Sequence, residues 1–127
     1  MSISRETTAE LIKPLGGALV RRHTSGSAVA AGECVALKSD TYVDPCDCTS
    51  AADESIGVAL RAAAGSGEVI DIVVFGPVLC LSGATVGGTV FNTTTAGEYT
   101  QTDAGNVTAV GYAETATILF VQPEHLA

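Results

Sequence analysis

The sequence predicts an all-β protein, a small β-barrel whose body is built from two quasi-repeated halves and preceded by an extended N-terminal arm. Three observations lead there. From about residue 18 onward, short apolar or alternating runs are separated by turn residues, the pattern of a small barrel or sandwich. Features in the first half of that stretch return in the same order 54 to 57 residues later until the last strand, where the second copy lacks the Arg61 to Gly67 loop. Finally, 127 residues that are 46% hydrophobic and only 16% charged can bury one core without metal or disulfide, and are too apolar for disorder.

Residues 1–17 read as the arm. Ile3, Leu11, Ile12 and Leu15 are its apolar side chains, and Pro14 with Gly16-Gly17 blocks a long helix. One short helical turn around Thr7 to Ile12 fits, because the apolar positions recur too rarely for a stable isolated helix.

Residues 18–127 form the barrel domain. Expected strands are Ala18 to Arg22, Glu33 to Leu37, Ser55 to Leu60, Glu68 to Phe75, Val78 to Leu81, Thr89 to Asn92, Val107 to Tyr112 and Thr117 to Val121, with weaker ones near Tyr42 and Tyr99. Asp44-Pro45, Gly65-Ser66-Gly67, Gly76-Pro77, Ser82-Gly83, Gly87-Gly88 and Ala104-Gly105-Asn106 are expected to turn the chain. Glu68 to Phe75 is apolar at nearly every position, interrupted by Asp71, so it reads as the strand buried on both faces.

The internal repeat aligns Val29-Ala30-Ala31-Gly32 with Ala84-Thr85-Val86-Gly87, Val35 with Val90, and Tyr42 with Tyr99. It also aligns Ile56-Gly57-Val58-Ala59 with Val110-Gly111-Tyr112-Ala113, and Ile70 to Val74 with Ile118 to Val121. Each half alone would expose an apolar face, and pairing the halves buries both.

Charge excludes some partners. The chain carries a formal charge of -8, yet its first 22 residues hold Arg5, Lys13, Arg21 and Arg22 against Glu6 and Glu10. A basic leader precedes an acidic body, which repels phosphate backbones and argues against direct nucleic-acid binding. Mean hydropathy is +0.36, but Gly76-Pro77 and Ser82-Gly83 cut the uncharged stretch below the length a membrane span needs, so no membrane association is expected. Met1 to Glu6 lacks the apolar stretch of a secretory signal, so synthesis in a cytosol and reduced cysteines are expected.

Reactive groups are sparse. His23 and His125 are the only histidines, and the familiar nucleophile, zinc-protease and phosphate-loop motifs do not occur. Cys34 and Cys80 sit in apolar runs and read as core residues, while Cys46-Asp47-Cys48 is too tightly spaced for the usual structural zinc pair. Asp40, Asp44, Asp47, Asp53 and Glu54 cluster in one loop region but miss the calcium-loop pattern, since its sixth and twelfth positions fall on Pro45 and Ala51. The reading is therefore no enzyme, no cofactor and no metal. Tyr42, Phe75, Phe91, Tyr99, Tyr112 and Phe120 are spread singly and read first as core or packing residues.

At Val29 to Val35, Ile56-Gly57-Val58-Ala59-Leu60, Glu68 to Val78 and Val110-Gly111-Tyr112-Ala113-Glu114, the sequence resembles the capsid decoration, or cement, proteins of tailed bacteriophages. The similarity covers nearly all of residues 28–121 and rests on the order of features rather than on any reactive residue. It implies a compact β-barrel of the tulip type that assembles as a homotrimer on the major capsid protein. The location implied is the outer surface of the virion, after synthesis in the host bacterial cytoplasm. The role implied is stiffening the expanded head against internal DNA pressure.

A basic arm ahead of an acidic body suits a clamp, and Ile3, Arg5, Leu11, Ile12, Arg21 and Arg22 are the expected capsid or subunit contacts. For Arg21 and Arg22 the plainer reading is a solvated edge of the first body strand. Two other classes stay open. A biotinyl- or lipoyl-like carrier domain would use Lys38 beside the turn Ser39-Asp40, without the flanking pattern such carriers show, and a small β enzyme would use the carboxylates of the 40–54 region.

Overall fold

Short runs of β-branched and apolar residues bounded by glycine and polar turns become strands throughout, because alternate side chains can then share one buried face. The computed structural model describes residues 3–49, 54–105 and 107–123. In order, the strands are β1 (Ser4–Arg5), β2 (Lys13–Pro14), β3 (Leu19–Thr24), β4 (Cys34–Leu37), β5 (Val43–Pro45), β6 (Ser55–Ala59) and β7 (Val69–Leu79). They continue with β8 (Leu81–Ser82), β9 (Thr89–Asn92), β10 (Tyr99–Thr100), β11 (Ala109–Ala113) and β12 (Ile118–Val121). One 3-10 turn, Ala9–Leu11, falls where the short helical turn is expected.

The main sheet runs β10-β9-β11-β12-β7-β6-β4-β5, with β2 and β3 also on β7. Its order reads the same from either end. In the first half β4 pairs with β5 and β6, and β6 with β7. In the second half β9 pairs with β10 and β11, and β11 with β12. The register irregularity also recurs, between Val35 and Ala36 in one half and between Ala109 and Gly111 in the other.

Hydrogen bonds repeat with the strands. Gly32 donates to the Ala59 carbonyl at 2.7 Å, and Gly87 to that of Ala113 at 2.7 Å. Ala59 donates back to Glu33 at 2.9 Å, and Ala113 to Gly88 at 3.0 Å. The duplicated halves are thus visible in geometry as well as in sequence.

The two ends of the sheet meet. Gly97 donates to the Cys46 carbonyl at 2.8 Å, and Cys48 to that of Thr93 at 3.1 Å, so the segment after β5 is bonded to the loop before β10. The sheet curls into a barrel-like body around a core to which both halves contribute: Cys34, Ala36, Val58 and Val73 from one, Val90, Val110, Leu119 and Val121 from the other. A second cluster, including Val29, Val35, Val43, Ile70 and Ile72, covers the opposite face of the first half-sheet. That is why the β7 sequence is apolar on both faces.

Two turn expectations are corrected. Gly76-Pro77 does not end a strand: β7 runs through it, Gly76 adopts φ +109° where a Cβ would meet the Ala18 Cα at 2.7 Å, and the Pro77 carbonyl still accepts from Leu15 at 3.0 Å. Asp44-Pro45 likewise lies within β5, paired to Ala36 and Val35. The expected strand Val78 to Leu81 is divided at Cys80 between β7 and β8.

Candidate interaction surface

The N-terminal segment lies against the body. β1 pairs antiparallel with β8, β2 pairs with the end of β7, Ile12 is buried and Ile3 packs half-buried on the main core. Arg5 is the polar anchor. Its Nε donates to Glu98 Oε2 at 2.6 Å and its Nη1 to the Ala31 carbonyl at 3.1 Å, so one side chain bonds both halves of the barrel. Burial works against the Arg5 charge, but the bond and charge of Glu98 hold its pKa above the ordinary value.

Glu33 lies close by and accepts from the Ala30 N–H at 2.8 Å. Burial raises its carboxyl above the usual range; the Ala30 bond and Arg5 oppose that rise, and Glu98 adds to it. Tyr99, which is 4% exposed, donates its hydroxyl from the second half to the Gly32 carbonyl of the first at 2.6 Å.

Of the six contact residues expected from sequence, Ile3, Arg5 and Ile12 are therefore engaged within the chain itself. Leu11, Arg21 and Arg22 face outward. Leu11 projects 49% exposed from the 3-10 turn. Arg21 and Arg22 sit on β3, whose single strand partner among the described residues is β7. Arg22 Nε is 3.4 Å from Asp71 Oδ1 across that pairing, which explains the lone acidic residue in the β7 sequence. Leu19 and Val20, at the start of β3, are 60% and 43% exposed.

Beside β3 lies an open groove of about 440 Å³ lined by Arg21, His23, Leu37, Ile56, Val74 and Pro123. Burial and the Arg21 charge lower the pKa of His23. On the neighbouring surface, Phe75 meets Phe120 edge-on with ring centroids 5.2 Å apart, and Tyr112 stacks on Phe120 at 5.1 Å. Leu19 is paired with Phe75, Phe120 with Pro77 and Tyr112, so an apolar stripe crosses β3, β7, β12 and β11.

This stripe narrows the reading of the six aromatics as core or packing residues: its members pack on one another outside the core. Tyr99 is in the core, but Phe75 and Tyr112 are 41% and 37% exposed, and Tyr42 is also exposed. The signal was present in the two-residue alternation: Phe120 lies between buried Leu119 and Val121 and must face the other way.

Among the described residues, the cysteines and several loop carboxylates are held in local contacts. All four cysteines are buried and none forms a disulfide. Cys34 bonds to Cys46, and that bond together with burial pushes its thiol well up. Burial pushes Cys80 up to about 12. Asp44 accepts from the Ser27 hydroxyl at 2.6 Å, Asp40 from the Tyr42 N–H at 3.0 Å, and Asp47 from both the hydroxyl and the N–H of Thr49, bonds that hold its carboxyl below its usual range. The carboxylates thus shape turns. Asp53 and His125 lie outside the described residues. Among the described residues, no three His, Cys, Asp or Glu side chains are placed to hold a metal ion, and no helix is long and apolar enough to cross a membrane.

No protein-family model matches the chain, and no curated protein is significantly similar to it.

Proposed function

We propose that this chain is a viral structural protein that decorates the outer surface of an expanded bacteriophage head as a homotrimer and stabilises the shell against internal DNA pressure. The observation that carries the reading is the apolar stripe of exposed Leu19, Phe75 and Tyr112 around half-buried Phe120, at the basic strand β3 on an otherwise acidic protein. Contiguous exposed apolar surface rimmed by charge is what protein contacts use. The duplicated barrel supports the reading too, since among the described residues Arg5, Glu98 and Tyr99 join the halves and Asp40, Asp44 and Asp47 close turns. The contacts to the shell are Leu11, Arg21, Arg22 and the aromatic stripe, with the N-terminal segment held on the body by Arg5 and Glu98.

The stabilising role is tested on DNA-filled heads that lack the protein. Release of DNA on heating is followed with an intercalating dye, with and without the purified chain. Addition raises the release temperature if the reading is right; an unchanged temperature at saturating protein contradicts it.

One observation keeps a second reading alive. Lys38 opens the hairpin between β4 and β5, donating its N–H to the Tyr42 carbonyl at 2.9 Å, which is where a carrier domain would present a modified lysine. Intact mass of the natively expressed chain separates the two: a carrier bears an added group, a decoration protein does not.

A further inference from the structure

From the open edge of β3 we infer a docking site for an extended, acidic segment of a partner protein, which adds to the sheet as a further antiparallel strand. The inference uses an edge that the proposed function also uses but does not rest on it, because strand addition requires no capsid. β3 is six residues long and pairs on one side only among the described residues, with β7. In an antiparallel pair the residues alternate between bonding the neighbour and pointing their N–H and C=O groups away, so the outer edge offers a row of backbone donors and acceptors. Edges of this length are usually shortened, interrupted by proline or guarded by lysine. β3 has no proline or lysine and its one register irregularity lies at its start, between Leu19 and Val20; its exposed residues are Leu19, Val20, Arg21 and Arg22.

Charge selects the occupant. Arg21 and Arg22 are consecutive, so they project to opposite faces of the sheet, and an incoming strand places two consecutive side chains beside them. A second copy pairing through its own β3 would set arginine against arginine, which is destabilising. Two consecutive carboxylates flanked by β-branched residues reach Arg21 and the guanidinium of Arg22, whose Nε already meets Asp71 at 3.4 Å, while Val20 and His23 lie opposite the flanking side chains. On a chain of net charge -8 this strand is a local basic exception, so it also steers such a segment towards the edge.

The test uses the full chain and a capped heptapeptide, acetyl-Thr-Val-Glu-Glu-Val-Thr-Val-amide. Binding is read by amide chemical shifts and by hydrogen exchange of residues 19–24. Exchange at β3 slows on saturation, and the double variant Arg21→Gln, Arg22→Gln, with an otherwise unchanged amide spectrum, binds at least tenfold more weakly. Two control peptides hold the inference to its mechanism. The Lys-Lys counterpart does not bind, and a version N-methylated at the alternate residues whose N–H groups face β3, with the same charges but none of those donors, loses binding. Equal binding of the N-methylated peptide would reduce the interaction to charge and overturn strand addition. Protection of β3 by self-association without peptide, or no binding of the acidic peptide, overturns it also. Neither result bears on head binding through the aromatic stripe.

Discussion

Gly57 and Gly111 hold equivalent places in the two halves of the barrel: a Cβ on the first would lie 2.1 Å from the Val73 carbonyl oxygen, and one on the second 2.0 Å from that of Phe120. Both distances are far inside van der Waals contact, and the obstacle in each case is backbone. Strands β6 and β11 therefore approach β7 and β12 through a glycine at the same point of the repeat. The duplication requires it twice.

Alanine at either position should destabilise the chain by roughly 1–3 kcal/mol or more, the usual cost of overpacking a site that cannot relax. Urea unfolding of Gly57→Ala and Gly111→Ala should give similar losses, because the surroundings match. A loss at one position and none at the other would break the equivalence of the halves.

Arg5→Ala removes a charge-assisted bond to Glu98 and the bond to Ala31 from a largely buried position, and should cost about 1.5–3 kcal/mol. Arg5→Lys should recover only part of this, since an ammonium lacks the planar fork that reaches both acceptors. Thermal melts of the three proteins check the order, with the arginine highest and the alanine lowest.

Glu33 makes stability depend on pH. Because burial raises its pKa on folding, the folded chain binds that proton more tightly than the unfolded one. Its contribution is favourable at acid pH and is lost as pH rises from the ordinary glutamate value through the raised folded one. Glu33→Gln mimics the protonated form, so its stability relative to the parent should improve from pH 4 to pH 7. Urea midpoints at the two pH values measure this; a gap that is constant, or that widens towards acid, contradicts the assignment.

Burial also keeps the cysteines inert, and the Cys34 and Cys80 thiols are pushed further from ionisation. At pH 8 the folded chain should take up iodoacetamide far more slowly than it does in denaturant, where all four thiols react. Rapid labelling of the native protein at Cys34 or Cys80 would mean that the core opens readily.

Much of the fold was legible because the repeat is written in side chains that face the core. The apolar blocks at Val35, Val58 and Val73, and at Val90, Val110 and Leu119, mark the strands of each half, and turn glycines at Gly32 and Gly87 mark their entries. What escaped were features decided by tertiary contact. Gly76-Pro77 carries a strong local turn signal, yet partners on both edges of β7 draw it into one continuous strand. The pairing of β1 with β8 rests on two residues each and leaves no periodic trace.

The surface was read less well for a related reason. Ile3, Arg5 and Ile12 look like free contacts when only their sequence neighbours are known, and the partners that engage them, Glu98 and Ala31 above all, are far away in the chain. Phe75, Phe120 and Tyr112 come from three separate strands. Only the sheet order makes them one stripe.

The central claim is tested most directly by sedimenting the purified chain with expanded phage heads assembled without it, after light scattering has fixed its mass in solution. The account predicts saturable co-sedimentation in multiples of three copies, weakened by Phe75→Ser and Tyr112→Ser. A chain that stays monomeric in the supernatant at every ratio would contradict it.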